Sequence, residues 1–368
     1  MDNRITVIYG DDPGEMTARL LDAVGLSSLL PPGGNAKIGI KPNLVNVTQP
    51  EHGATTHPEI VEALIRYLQA AGFRNIVILE GSWVGADTMK AFRALGYDRL
   101  AEKYGVGLLD TKKDAYVQKS CDGITMEISK TALELDFLID IPVLKGHCQT
   151  LVTGALKNLK GIISDREKRH FHTLGLHKPI ACLNRLITAD FCIVDGICGD
   201  LDFEEGGNPV QMNRIFCGTD PVLIDSYIAQ TMGYHPSEIG YIRLSEQYGV
   251  GSTDLSHAQI IELNRDRGKI KASPSRIVKE LSRYVEARDA CSACYANLMQ
   301  ALMRLKDIGV LDRFRKNPIA IGQGYRGNSL SCPGIGNCTR EFDSHVSGCP
   351  PHTPEILAYL KDYIEQEQ

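Results

Sequence analysis

AKIGIKPNLVNVTQPEHGATTHPEIVEALIRYLQAAGFRNIVILE, residues 36–80, is the stretch that decides the fold class. Residues 36–45 read as a strand interrupted by Pro42, and a polar loop follows. Thr55-Thr56-His57-Pro58 then opens a helix, with Thr56 or His57 at the cap and Pro58 in the first turn, where a missing N–H costs little. Ile60, Val61, Leu64, Ile65 and Leu68 recur at helical spacing. Gly72 stops the helix, and 75–80 reads as the next strand.

The alternation extends both ways. Residues 4–10 read as a buried strand, and 16–30 as a helix that stops at Pro31-Pro32-Gly33-Gly34. Downstream, 81–95 is a loop and helix, 107–110 a short strand and 136–144 an apolar strand. Residues 153–163 and 178–187 read as helices, 190–195 and 214–217 as strands, and 221–232 as a helix. Repeated β–α units predict an α/β fold, a mostly parallel sheet with helices on both faces. After about residue 251 the character changes. Residues 273–305 are largely helical in pattern, and 317–354 are rich in Gly, Pro, Asn and Ser and carry three cysteines. A loop-rich stretch of that length needs an extra constraint, and a metal centre supplies one. The expected organisation is an α/β domain over 1–250 and a loop-rich, helical and cysteine-bearing cluster-binding segment over 251–368.

A net charge of −5 argues against a general nucleic-acid binder. The opening MDNRITVIYG has no basic stretch, apolar core or small-residue cleavage site, so no signal peptide is expected. No apolar run approaches the ~20 residues of a membrane helix. The expectation is a soluble, cytoplasmic protein without membrane or nucleic-acid partners. Eleven cysteines are many for that compartment, where disulfides rarely persist. Cys121, Cys182, Cys192 and Cys217 sit in apolar or strand-like surroundings and read as inert thiols.

Four others form a constellation: Cys291 and Cys294 in Cys-Ser-Ala-Cys, Cys338 in Gly-Asn-Cys-Thr, and Cys349 in Ser-Gly-Cys-Pro-Pro. Two residues between thiols let both reach one centre from a single turn of backbone. Gly336 and Gly348 let the backbone approach it, and proline after a ligand cysteine recurs in iron–sulfur loops. These four are the expected ligands of one [4Fe–4S] cluster. A structural zinc site on the same thiolates is the competing reading, although zinc ribbons usually bring a second close pair. Cys332, in Ser-Cys-Pro-Gly, stands as an alternative to Cys338.

Residues 36 to about 233 resemble a known family, the one numbered 362 among domains of unknown function, whose members are often labelled iron–sulfur cluster-binding proteins. The matching motifs are Ile40-Lys41-Pro42-Asn43-Leu44, Thr55-Thr56-His57-Pro58, Pro142-Val143-Leu144-Lys145, the run Thr153-Gly154-Ala155-Leu156-Lys157-Asn158-Leu159-Lys160-Gly161, Asp195-Gly196 and Gly218-Thr219-Asp220-Pro221-Val222. The resemblance implies cluster binding but no agreed reaction. Many members carry close Cys-x-x-Cys-x-x-Cys runs, which this chain lacks. Gly-Cys-Pro-Pro looks like the last ligand of cluster-binding subunits in hydrogenases and respiratory complexes.

In open α/β sheets, ligands bind beyond the carboxyl ends of the strands. Lys41, Asn43, Lys145 and His147 fall there, and Lys157, Asn158 and Lys160 lie on the helix after Gly154. A helix N-terminus with lysines suits an anion. Asp195 and Asp220 also follow strands and could orient these lysines or act on a proton. The expected catalytic set is Lys145, His147, Lys157 and Asp195. Lys41, Asn43, Asn158, Lys160, Arg169, His172 and Asp220 are the expected contacts to a small anionic substrate. Arg169-His170-Phe171-His172 reads as a loop, and Gly206-Gly207-Asn208-Pro209 as a mobile lid. No P-loop, Gly-x-Gly-x-x-Gly or Gly-x-Ser-x-Gly signature is present. Three functions follow: an iron–sulfur oxidoreductase on a small anion, an electron carrier that docks a redox partner protein, or a binding protein with a structural metal.

Overall fold

The computed structural model describes residues 3–265 and 277–366. The chain divides into two compact units, Met1–Glu167 with His177–Pro274, and Lys168–Leu176 with Ser275–Gln368. Residues 168–176 go with the C-terminal unit.

The first unit carries strands β1 (Arg4–Tyr9), β2 (Ile38–Pro42), β3 (Ile76–Glu80), β4 (Gly107–Asp110), β5 (Tyr116–Cys121), β6 (Ile124–Ser129), β7 (Phe137–Ile141), β8 (Lys145–His147), β9 (Leu151–Thr153), β10 (Phe191–Asp200), β11 (Pro209–Gly218) and β12 (Gln259–Glu262). Eight form one sheet in the order β12-β1-β11-β10-β7-β2-β3-β4. From β10 to β4 every pairing is parallel. Within this sheet β11 alone runs antiparallel, to β10 and to β1. The mostly parallel α/β fold is therefore the one the β–α alternation predicts. Central strands β2 and β7 are buried along their whole length, as strands covered on both faces must be.

The helix after β2 spans Pro58–Ala70, with Ile60, Val61, Leu64, Ile65 and Leu68 buried. They join Ile38, Ile40, Ile76, Ile78 and Ile139 in one apolar core. His57 occupies the cap position, but its side chain makes no capping bond. The first helix, Pro13–Val24, starts on the Asp12 side chain and ends at Gly25 in the left-handed region, short of the expected Leu30. The antiparallel pairs β5–β6 and β8–β9 lie outside the main sheet and were not expected.

The C-terminal unit is built differently from its predicted helical pattern. Within 273–305, residues 273–276 fall outside the described residues. The rest forms a short helix Ile277–Leu281, strand β13 (Val285–Ala287) and the helix Ser292–Asp307. The loop-rich 317–354 contains β14 (Ile319–Ile321), β15 (Gly334–Ile335) and β16 (His345–Val346). These four strands pair in parallel in the order β13-β14-β15-β16. Leu298, Leu302 and Leu305 are buried, as are Ile356 and Leu360 of the helix Thr353–Gln366. Residues 169–172, expected as a loop, lie in the helix Asp165–Thr173. Among the described residues no helix is long and apolar enough to cross a membrane.

Candidate functional site

Four parallel strands present four carboxyl ends together, and in the C-terminal unit each is followed by one wall of a single cavity. After β13 come Cys291 and Cys294; after β14, Gly322, Gln323 and Arg326. After β15 come Gly336, Asn337 and Cys338; after β16, Gly348 and Cys349. Arg169 completes the lining. All four expected ligand cysteines therefore face one space.

Local chemistry sets each position. Cys291 is the cap residue of the helix Ser292–Asp307 and Cys294 lies in its first turn, where the positive helix end favours thiolates. Gly336 (φ 83°) and Gly348 (φ 138°) hold left-handed backbone. Asn337 N donates to the Gly348 carbonyl at 3.0 Å and Asn337 Oδ1 accepts from Gly348 N at 2.8 Å, tying the Cys338 and Cys349 loops together. A Cβ on Gly322 would overlap the Arg288 carbonyl, so the chain after β14 can turn here only without a side chain.

Gln323 Nε2 lies 3.6 Å from Cys291 Sγ, and Arg326 lines the cavity together with Cys338. Burial pushes the Cys294 thiol up, and neighbouring Cys291, Cys349 and Cys338 push it further, against the pull of Arg169. Ionising one thiol thus opposes ionising the next, and a cationic centre would relieve that opposition. The donor set fits such a centre. Among the described residues no group of three or more His, Cys, Asp or Glu is placed to hold a metal ion. Around one zinc, thiolate sulfurs stand only ~3.8 Å apart; sulfurs that each take a different iron of a cluster stand wider. Cys332 is not part of the lining and packs against Ala320, Tyr325 and Phe342. All eleven cysteines are free.

The α/β unit holds a second polar centre beyond the carboxyl ends of β2, β3 and β7. Lys41 Nζ lies 2.8 Å from Glu80 Oε2 and donates also to the Pro42 carbonyl at 2.7 Å and Asn158 Oδ1 at 3.2 Å. Asn158 accepts from Asn43 Nδ2 at 2.7 Å and donates to Asp140 Oδ1 at 2.7 Å. Burial holds the Asp140 carboxyl well above its usual range, despite Lys41 nearby. Lys145 Nζ donates to Asn43 Oδ1 and the Glu204 carbonyl at 2.7 Å each, and to the Ala54 carbonyl. Both ammonium groups thus have three acceptors for three N–H bonds. Burial pushes Lys145 down to about 7, against the pull of Glu204.

Lys157 and His147 meet at Glu204. Lys157 Nζ lies 2.6 Å from Glu204 Oε2, and His147 Nε2 lies 3.2 Å from the same oxygen. His147 Nδ1 accepts from Gln149 N and Thr150 N, so the ring proton resides on Nε2. Burial pushes His147 down to about 4. Burial also opposes ionisation of Glu204, but its cationic neighbours hold it well below the usual carboxylate range.

The remaining expected residues have other partners. Asp195 accepts from His57 Nδ1 and N, at 2.8 Å each. Asp220 caps the helix Pro221–Thr231 through Val222 N and Leu223 N and takes Ser252 N as well. Lys160 is half-buried and its charge reaches His147. Arg169 and His172 belong to the cysteine-bearing unit, where His172 Nε2 accepts from Ser292 N at 3.3 Å. The supposed lid is pinned: Asn208 Nδ2 donates to Asp202 Oδ2 at 2.9 Å, and Asn208 N to Asp200 Oδ2. Glu80, Glu204, Arg326 and Gln323 were not anticipated; a carboxylate closing the apolar strand 76–80 was the available signal for Glu80.

The family described as "Domain of unknown function (DUF362)" matches residues 38–230, just over half of the chain. The chain belongs to this family. The family match covers the α/β polar centre together with Arg169 and His172, and stops before Cys291. A curated relative, the thylakoid-associated protein sll1697 of Synechocystis sp. (strain ATCC 27184 / PCC 6803 / Kazusa), is 24% identical over 240 residues, 62% of this chain and 72% of that protein. Among solved structures, the lactate racemase apoprotein from Thermoanaerobacterium thermosaccharolyticum aligns at 18% identity and TM-score 0.39. That alignment covers 58% of this chain, which spans 54% of the other.

Proposed function

We propose that this family member is an iron–sulfur redox protein, with one [4Fe–4S] cluster held by Cys291, Cys294, Cys338 and Cys349, whose α/β unit acts on a small anionic substrate. The observation that carries the reading is the convergence of these four thiols on one cavity. When bound, the cluster supplies one-electron transfer, the electron coming from a redox partner protein. Free thiols suit a reducing cytoplasm.

For the α/β unit, the geometry favours a division of labour among the candidate residues. Lys41, Asn43, Lys145, Asn158 and Asp195 are committed to fixed partners and form the frame. Lys157 spends one N–H on Glu204, and His147 holds its Nε2 proton beside it. These two are the groups able to meet a substrate carboxylate or phosphate and to move a proton.

The test is anaerobic purification followed by iron and sulfide analysis and electron paramagnetic resonance (EPR). About four iron and four sulfide per chain, with a spectrum that appears on reduction, is the expected result. A colourless protein with stoichiometric zinc would overturn it.

A further inference from the structure

Two arginines line the same cavity as the four cysteines, Arg169 and Arg326, with Gln323 beside Cys291. Arginine is costly to place in a ligand shell of thiolates unless its charge is used, because the planar guanidinium needs several acceptors. Arg326 shares the cavity with Cys338, Cys291 and Cys349, and the charges of these three act on it. Its position is fixed by backbone. Arg326 follows the 3-10 turn Gln323–Tyr325, whose ring is fully buried against Phe342. Arg326 N donates to the Gln323 carbonyl at 3.2 Å.

We propose that Arg326, which lines the cavity together with Cys338, is a positioning residue that raises the reduction potential of the cluster. This rests on the cluster reading above. Adding one electron adds one negative charge at a site already ringed by thiolates. A guanidinium held in the lining of the ligand cavity stabilises the more negative state. Arg169 lines the same cavity and adds to the field. Gln323 contributes a neutral donor to Cys291 and has a smaller effect.

The experiment is EPR-monitored potentiometric titration of the full-length, anaerobically purified chain, with dithionite as the one-electron donor. Wild type, R326Q and R326K are compared, each with iron and sulfide counted. R326Q is expected to keep its iron and lower the ratio of reduced to oxidised cluster at a fixed potential by about tenfold, a shift of about 59 mV for one electron. R326K retains charge but loses the guanidinium contact, and its midpoint falls by less. A wild-type midpoint in iron-replete R326Q overturns the proposal. If R326Q loses its iron, R326K decides: a lowered midpoint supports the proposal and an unchanged one overturns it. Wild-type protein without iron or sulfide would instead remove the cluster reading itself.

Discussion

Lys41 Nζ and Glu80 Oε2 stand 2.8 Å apart with side chains 0% and 3% exposed, an ion pair sealed inside the α/β unit. The seal is the 3-10 turn Leu159–Ile162, where a Cβ on Gly161 would overlap both the Glu80 carboxylate and the Lys41 side chain. Thr111 Oγ1 fastens that turn by donating to the Gly161 carbonyl at 2.5 Å. Leu44 N also donates to Glu80 Oε2, at 2.9 Å, so the pair anchors the strand end as well as balancing charge.

Removing one partner leaves the other charged and buried. Glu80→Ala is expected to destabilise the fold by about 3–5 kcal/mol, read as a lowered urea midpoint. Replacing both, Lys41→Met with Glu80→Leu, should cost less than Glu80→Ala alone, since no orphan charge remains. Equal or greater loss in the double variant would show that the pair's hydrogen bonds, not its charges, matter most.

Gly161 and Gly14 make a paired test of close approach. At Gly161 an added methyl meets a rigid ion pair, so Gly161→Ala should cost about 1–3 kcal/mol through overpacking. At Gly14, in the helix Pro13–Val24, the nearest atom to an added Cβ is Asp12 Oδ1 at 3.5 Å, an ordinary contact. Gly14→Ala should therefore stabilise by about 0.4–1 kcal/mol by restricting the unfolded chain. Denaturant midpoints of the two variants should move in opposite directions.

The helix Pro58–Ala70 was legible because five apolar residues repeat at helical spacing, and the α/β class follows from such units. The strands β15 and β16 were not legible: two residues cannot display an alternation. Lys41 carries no sign of burial in its own neighbourhood, because Glu80 lies 39 positions away and Asn158 117. Glu204 was hidden for the same reason, 47 positions from Lys157. Arg169 and His172 looked like companions of Lys41 but belong to the other compact unit, a partition that linear order does not reveal.

Cysteine variants separate ligands from bystanders. Cys294→Ser is expected to abolish stoichiometric iron and the EPR signal, because a hydroxyl is a poor replacement for a thiolate on iron. Cys332→Ser should leave iron, sulfide and spectrum at wild-type levels, since Cys332 packs against Tyr325 and Phe342 outside the lining. Loss of iron in Cys332→Ser with retention in Cys338→Ser would exchange the two as ligands.

His57 gives a pH dependence with a definite sign. Burial alone would lower the pKa of its ring, but the Asp195 carboxylate, through charge and a 2.8 Å hydrogen bond, outweighs burial and raises it above 6.5. A histidine raised on folding stabilises the protein fully below its unfolded value and loses that contribution as pH rises through its folded value. Wild type should therefore exceed His57→Asn in stability most clearly below pH 6.5, with the gap narrowing as pH climbs beyond it. Urea midpoints of both proteins at a series of pH values from about 5.5 to about 9 measure the gap. A gap that stays constant, or widens toward alkaline pH, would mean that His57 is held neutral and that its ring contributes without its charge.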